Sequence, residues 1–299
     1  MNGRNMFPLE SKNEVSLREA IIKTIVFFDL FEYPLTPLEI SNYLDRRINL
    51  EEITLFLNNS NIISQKNGFY FLAGREEILT TRAKRYNYTN RKIKIARRFI
   101  SLFRFLPFIR TVALANSIGD HNLRDGSDID LFVISASRRI WLSRLFLAGA
   151  AKILGRRPTI HRKQDKICLS FYISTDHLDL SDLELAGGDP YFNYWQRSLF
   201  LLYNRERTYE QFRAVNNRDT AETKFAPTKA TTGSFGNLME RLAKSFQLRV
   251  MAPDLKTANS ETSGVVLCDD VLKFYRQDRR REFLDKFNYH YHAIFEKSN

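Results

Sequence analysis

The run RDGSDIDLFVIS, residues 124–135, places two aspartates one residue apart, Asp128 and Asp130, at the entry to an otherwise apolar segment. On a β-strand, side chains two residues apart share a face. A strand here therefore projects both carboxylates to one side and points Ile129, Leu131 and Val133 into a core. Carboxylates held side by side repel unless a cation lies between them. Oxygen-only ligation favours Mg²⁺, which takes one or two carboxylates and fills its shell with water and substrate phosphates. RDGSD is also turn-like, so a plain polar lip at the start of a strand is the competing reading.

The flanking segments bear on that choice. TVALANS (111–117) reads as a short strand ending in small polar residues, and RRIWLSRLFLAGAAKILG (138–155) as an amphipathic helix stopped by Gly155. KICLSFYIS (166–174) reads as a third strand. Strict alternation there gives an apolar face of Ile167, Leu169, Phe171 and Ile173, and a second face of Cys168, Ser170, Tyr172 and Ser174. Beyond Ile173 the chain reads as helical: DPYFNYWQRSLFLLYN (189–204), TYEQFRAVNN (208–217) and DDVLKFYRQDRRREFLDKFNYHYHAIF (269–295). Stretches near 216–236 and 252–264 lack apolar periodicity and read as mobile loops. Gly187-Gly188 has neither the lysine nor the strand-to-helix setting of a phosphate loop and reads as a cap before the next helix.

Ten residues separate Ser117 from Asp128. Ala115-Asn116-Ser117 followed by the Asp-x-Asp pair resembles the signature of the DNA polymerase beta-type nucleotidyltransferase superfamily. The resemblance covers residues 111–135, and the strand–helix–strand context extends it to about 175. It implies Mg²⁺ as cofactor, with Asp128 and Asp130 as catalytic metal ligands and Asn116 and Ser117 on the nucleotide phosphates. It also implies transfer of a nucleoside monophosphate from a nucleoside triphosphate to an acceptor. Asn116 stands where the family has glycine; asparagine tolerates left-handed backbone best among the other residues. The family adds a third carboxylate on a later strand, and KICLSFYIS carries no acid. Ser170, on the polar face, and Asp176, just past the strand, are the candidates for that position, with Asp179 beyond them. The alternative reading is a catalytically degenerate domain that senses nucleotide or binds nucleic acid.

Residues 1–74 read as three helices and a hairpin. Ser16, with Glu19 three residues on, forms a capping-box pattern at the first helix; Thr36-Pro37 opens the second; Glu51 and Glu52 sit in the first turn of the third. Asn67-Gly68 between two short apolar runs is a hairpin signal. This order resembles a winged helix. The third helix, which would enter a DNA groove, offers two glutamates and no basic residue, so protein contact is favoured over groove reading. Joining this module to a nucleotidyltransferase-like domain resembles a prokaryotic family built the same way.

The formal net charge is +12, and residues 71–110 alone carry 11 Lys/Arg against 2 Asp/Glu. Within 75–110, a basic helical connector, Arg82, Arg85, Lys92, Arg97 and Arg98 alternate with apolar residues and are candidates for a nucleic-acid backbone or an acidic protein partner. The two cysteines, Cys168 and Cys268, make no disulfide framework or zinc pattern. No run is long and apolar enough for a membrane span, and no export signal stands at the start, which makes the cytoplasm the default and a membrane partner unexpected. The expected fold class is α+β: a winged helix, the connector, a nucleotidyltransferase-like mixed sheet with flanking helices over 111–185, and a helical C-terminal region over 186–299.

Overall fold

The computed structural model describes residues 12–44, 48–159, 161–216, 233–256 and 264–298. The chain folds into two compact units, one of Met1–Arg82 with Asp285–Asn299 and one of Ala83–Leu284.

The N-terminal unit contains α1 (Lys12–Asp29), α2 (Pro37–Tyr43), α3 (Leu50–Asn59), and the strands β1 (Ile63–Lys66) and β2 (Phe69–Leu72). Because α1 already runs from Lys12, Ser16 lies inside the helix and does not begin it. At α2 the capping box is complete: the Glu39 amide donates to Thr36 Oγ1 and the Thr36 amide donates to Glu39 Oε2. A type I′ hairpin turn needs positive φ at both central positions, which Asn and Gly supply. Asn67 and Gly68 adopt φ 54° and 81°, and Lys66 pairs with Phe69. Leu35 exchanges backbone hydrogen bonds with Tyr70, adding a third extended segment beside β2. The core of this unit is Ile21, Ile25, Phe28, Ile40, Ile53 and Leu57.

The boundary between the units falls inside α4 (Glu77–Ser101). The second unit is built on a six-stranded sheet that takes in β3 (Ile109–Leu114), β4 (Ile129–Ser135) and β5 (Ile167–Ser174). Between β4 and β5 the chain crosses over through α5 (Ile140–Ile153), and these two strands pair in parallel. Next come α6 (Pro190–Arg197), β6 (Phe200–Asn204), α7 (Thr208–Asn216), α8 (Ser234–Val250) and α9 (Pro253–Lys256). The hairpin of β7 (Gly264–Leu267) and β8 (Val271–Tyr275) precedes α10 (Arg280–Ser298). Sheet order is β6-β3-β4-β5-β8-β7, with every pair except β4–β5 antiparallel. Leu131, Val133 and Ile167 on one face bury against Ala96 of α4, Trp141 and Leu147 of α5 and Ala243 of α8. On the other face Phe132, Phe171, Trp195 and Phe212 form an aromatic cluster.

The α+β class is observed. The helical reading of 186–299 is corrected at three places, since β6, β7 and β8 all lie within it. LFLLYN and VLKFY are short, largely apolar runs, which periodicity alone cannot divide between a buried helix and a central strand. The stretches expected as loops, 216–236 and 252–264, fall mostly on 217–232 and 257–263, outside the described residues; the rest of them includes the start of α8 and all of α9. Among the described residues no helix is long and apolar enough to cross a membrane.

Candidate functional site

The second unit places Asp128 and Asp130 at the start of β4, an interior strand of the sheet. Parallel pairing sets Asp130 directly beside Cys168 of β5. One ligand atom from each of Asp128, Asp130 and Cys168 lies within 4.8 Å of the other two. Beyond this point one β4 residue, Leu131, faces two on β5, because Phe132 pairs with Phe171. This bulge puts both Cys168 and Phe171 on the carboxylate face. It also sends Tyr172 to the opposite core, against the strict alternation read from the sequence.

Burial pushes the Asp130 carboxyl up to about 7, with the Asp128 charge adding to the effect. Asp128 is raised too, by burial, against smaller opposing effects that include the charges of Lys163 and Lys92. Burial and Asp130 push the Cys168 thiol up, so it stands beside the pair as a neutral group. Among the described residues no cationic side chain forms a hydrogen bond or ion pair with either carboxylate.

Asn116 follows β3 and anchors the loop before β4: its Nδ2 donates to the Asp128 carbonyl at 2.9 Å. Its Oδ1 is buried without a partner. The backbone here is not left-handed; positive φ falls later, at Gly119 (84°) and His121 (55°). Ser117 is buried, and its hydroxyl is spent inside the loop, donating to the Gly119 carbonyl at 2.6 Å and accepting from the Asn122 amide at 3.0 Å. Its side chain is thus not presented to a phosphate. Asp176 bonds Ser137 at the opposite end of β5, because Ser174 pairs with Ser135 while Cys168 pairs with Asp130. The strand length separates it from the pair. Ser170 lies in the bulge, away from Asp130's direct partner position. Neither Ser170 nor Asp176 lies directly beside Asp130; Cys168 does.

A cavity of about 300 Å³ opens beside the carboxylates, with Asn116 and Asp130 in its wall. Its aromatic lining includes Phe171, Tyr191, Trp195 and Tyr275, and Tyr191 stacks on Phe283 at 5.0 Å. Lys273 and Arg280 line the cavity as well. Lys273 is buried, its ammonium 5.3 Å from the Tyr275 ring centre and 3.7 Å from Asp278. Burial, helped by the nearby Arg280 charge, lowers it to about 8. Arg280 is fully engaged by Asp278, Asp189 and the Leu183 carbonyl. None of Cys168, Tyr191, Lys273 or Tyr275 was singled out from the sequence. Cys168 was already on the polar face of its strand, but only strand register reveals which residue sits opposite Asp130.

The basic residues of α4 divide into struts and surface. Lys92 is fully buried, and its Nζ donates to the carbonyls of Asp125 (2.9 Å) and Ser127 (2.6 Å) and to Asp165 Oδ1 (2.8 Å). It thereby holds the loop that delivers Asp128. Arg85 is buried and donates to Asn122 Oδ1, while Arg82 makes a two-pronged contact with Glu39. These three are therefore not available as a phosphate-tracking surface. Arg97 and Arg98 are exposed.

In comparisons with protein-family models, curated proteins and solved structures, nothing matches the chain.

Proposed function

We propose that the chain is a nucleotidyltransferase-like protein that moves a nucleoside monophosphate from a nucleoside triphosphate to an acceptor with Mg²⁺ as cofactor. The observation that carries this reading is the Asp128–Asp130 pair, two mutually repelling carboxylates with no protein cation bonded to them among the described residues, beside a cavity of about 300 Å³ whose wall includes Asp130. A divalent cation relieves that repulsion. Two of the three donors are carboxylate oxygens, which suit a hard ion, with the Cys168 thiol beside them. When bound, such an ion polarises the phosphoryl oxygens and clamps attacking and leaving groups.

The chain's own residues do the rest. Asp128 and Asp130 would hold the ion, with Lys92 positioning Asp128 through the 125–127 loop. The unpartnered Oδ1 of Asn116 can accept a hydrogen bond from substrate, and the Tyr191 and Tyr275 rings offer apolar faces to a base. Asp278, the cavity's other acid, is engaged by Arg280. In the N-terminal unit, the three helices, the hairpin and the Leu35–Tyr70 bridge support a winged-helix reading. The exposed Glu51 and Glu52 of α3 favour a protein partner over a DNA groove.

A second reading has its own support. Cys168 in place of a third carboxylate leaves no free base beside the pair among the described residues, which suits a protein that binds nucleotide without turning it over. Calorimetry of nucleoside triphosphate binding, with and without Mg²⁺, on wild type and Asp128→Asn tests both. Metal-dependent binding lost in the variant, with label transferred to an acceptor, supports transfer. Binding without transfer supports sensing, and no binding by wild type rejects both.

A further inference from the structure

On the α5 face of the sheet, β5 and β8 separate beyond the pairs Phe171–Lys273, Tyr172–Leu272 and Ile173–Val271. A pocket of about 250 Å³ opens beside their diverging ends, lined by Cys168 and Ser170 of β5 and by three arginines, Arg144, Arg157 and Arg276. Among the described residues no carboxylate lines it.

Arg144 is the telling residue. Its guanidinium stacks on Phe274 with 4.4 Å between the guanidinium carbon and the ring centre, and its Nη1 donates to Gln247 Oε1 at 2.6 Å. Its Nε is buried with no partner, and no acid pairs with it among the described residues. Burial holds its pKa below the ordinary arginine value, and the charge of Arg157 lowers it further. A second orphan lies nearby: Tyr172 is wholly buried, its hydroxyl has no hydrogen-bond partner, and it feels the charges of both Arg144 and Arg157. Buried polar groups are nearly always satisfied, and a desolvated cation without an anion is costly. Here an orphaned guanidinium N–H and a second guanidinium line one pocket whose described lining carries no carboxylate, with the orphaned Tyr172 phenol close enough to feel both charges.

We infer that this pocket is an anion site for a phosphate group, either inorganic phosphate or the head of a small phosphate monoester. Guanidinium groups present planar, forked donors that match tetrahedral oxyanions. The volume lies below the roughly 300–1,000 Å³ typical of drug-sized ligands, which favours a phosphate with little attached to it over a whole nucleotide. Cys168 borders both this pocket and the Asp128–Asp130 pair, but the arginines come from the α5 side of the sheet and line no part of the proposed nucleotide cavity, and no metal is needed, so the two sites are tested separately.

The test is calorimetric titration of the full chain with inorganic phosphate and with ribose 5-phosphate, in chelator and at fixed ionic strength. We expect saturable one-site binding that survives in Asp128→Asn and weakens about tenfold or more in Arg157→Gln and Arg144→Gln. Tyr172→Phe should weaken it less. Arg157 is exposed at the rim, so its variant keeps the test decisive even if Arg144→Gln folds poorly. Equal affinity for the two probes identifies the free ion as ligand, and tighter binding of the ester identifies a monoester. Absence of saturable binding, unchanged affinity in Arg157→Gln, or an equal loss in the surface variant Arg97→Gln would overturn the inference.

Discussion

Asp128→Asn removes one of two carboxylates whose charges oppose each other in a half-buried site. In chelator, the variant should be more stable than wild type by about 1 kcal/mol, read by urea denaturation, and it should lose any stabilisation by Mg²⁺. A purely structural pair of aspartates would give the opposite sign. Glu39 makes a contrasting case. Burial works to raise its pKa, but the Arg82 fork and the Tyr33 and Thr36 donors outweigh it and hold it below the usual carboxylate value. A depressed folded pKa means the stabilisation is present above the unfolded value and is lost as pH falls through the folded one. Wild type should therefore lose stability below about pH 4 more steeply than Glu39→Gln, which should already be weaker by roughly 3 kcal/mol at neutral pH. At this scale the sequence spoke clearly about the Asp pair. It said nothing of Lys273 or Cys168, whose roles depend on neighbours distant in the chain.

The basic helix α4 shows how a charge run misleads. Read along the chain, Lys92 and Arg97 look equivalent; in the fold one is wholly buried and the other exposed. Lys92→Met should cost about 3 kcal/mol, since it leaves the Asp125 and Ser127 carbonyls without their buried donor and Asp165 with Arg91 alone, and it should weaken metal-dependent nucleotide binding. Arg97→Gln should stay within about 0.5 kcal/mol of wild type in the same denaturation series. In the β1–β2 hairpin, Gly68→Ala places a side chain at φ 81° and should cost about 1 kcal/mol. That turn was legible because a two-residue loop carries its own chemistry. The strands β6 and β8 were not, because nothing within LFLLYN or VLKFY states that a sheet waits to receive them.

Across the whole molecule, both tryptophans, Trp141 and Trp195, lie in the Ala83–Leu284 unit. Phe287, from α10, packs on Phe27 of α1 within the other unit, with 6.0 Å between ring centres. Phe287→Ala should lower the stability of the N-terminal unit by about 3 kcal/mol. The loss should appear in far-UV circular dichroism and leave the tryptophan fluorescence transition in place. By itself the sequence determined what local chemistry can specify: the three N-terminal helices, the Asn-Gly turn, the strand–helix–strand core and the shared face of Asp128 and Asp130. Only the tertiary structure decided the six-strand order, the bulge that sets Cys168 beside Asp130, and the division of α4's charges between interior and surface. It also placed Arg144, Arg157 and Arg276 around one pocket. Each of these depends on pairing or burial between distant segments, and a linear pattern does not encode which distant residue will be the partner.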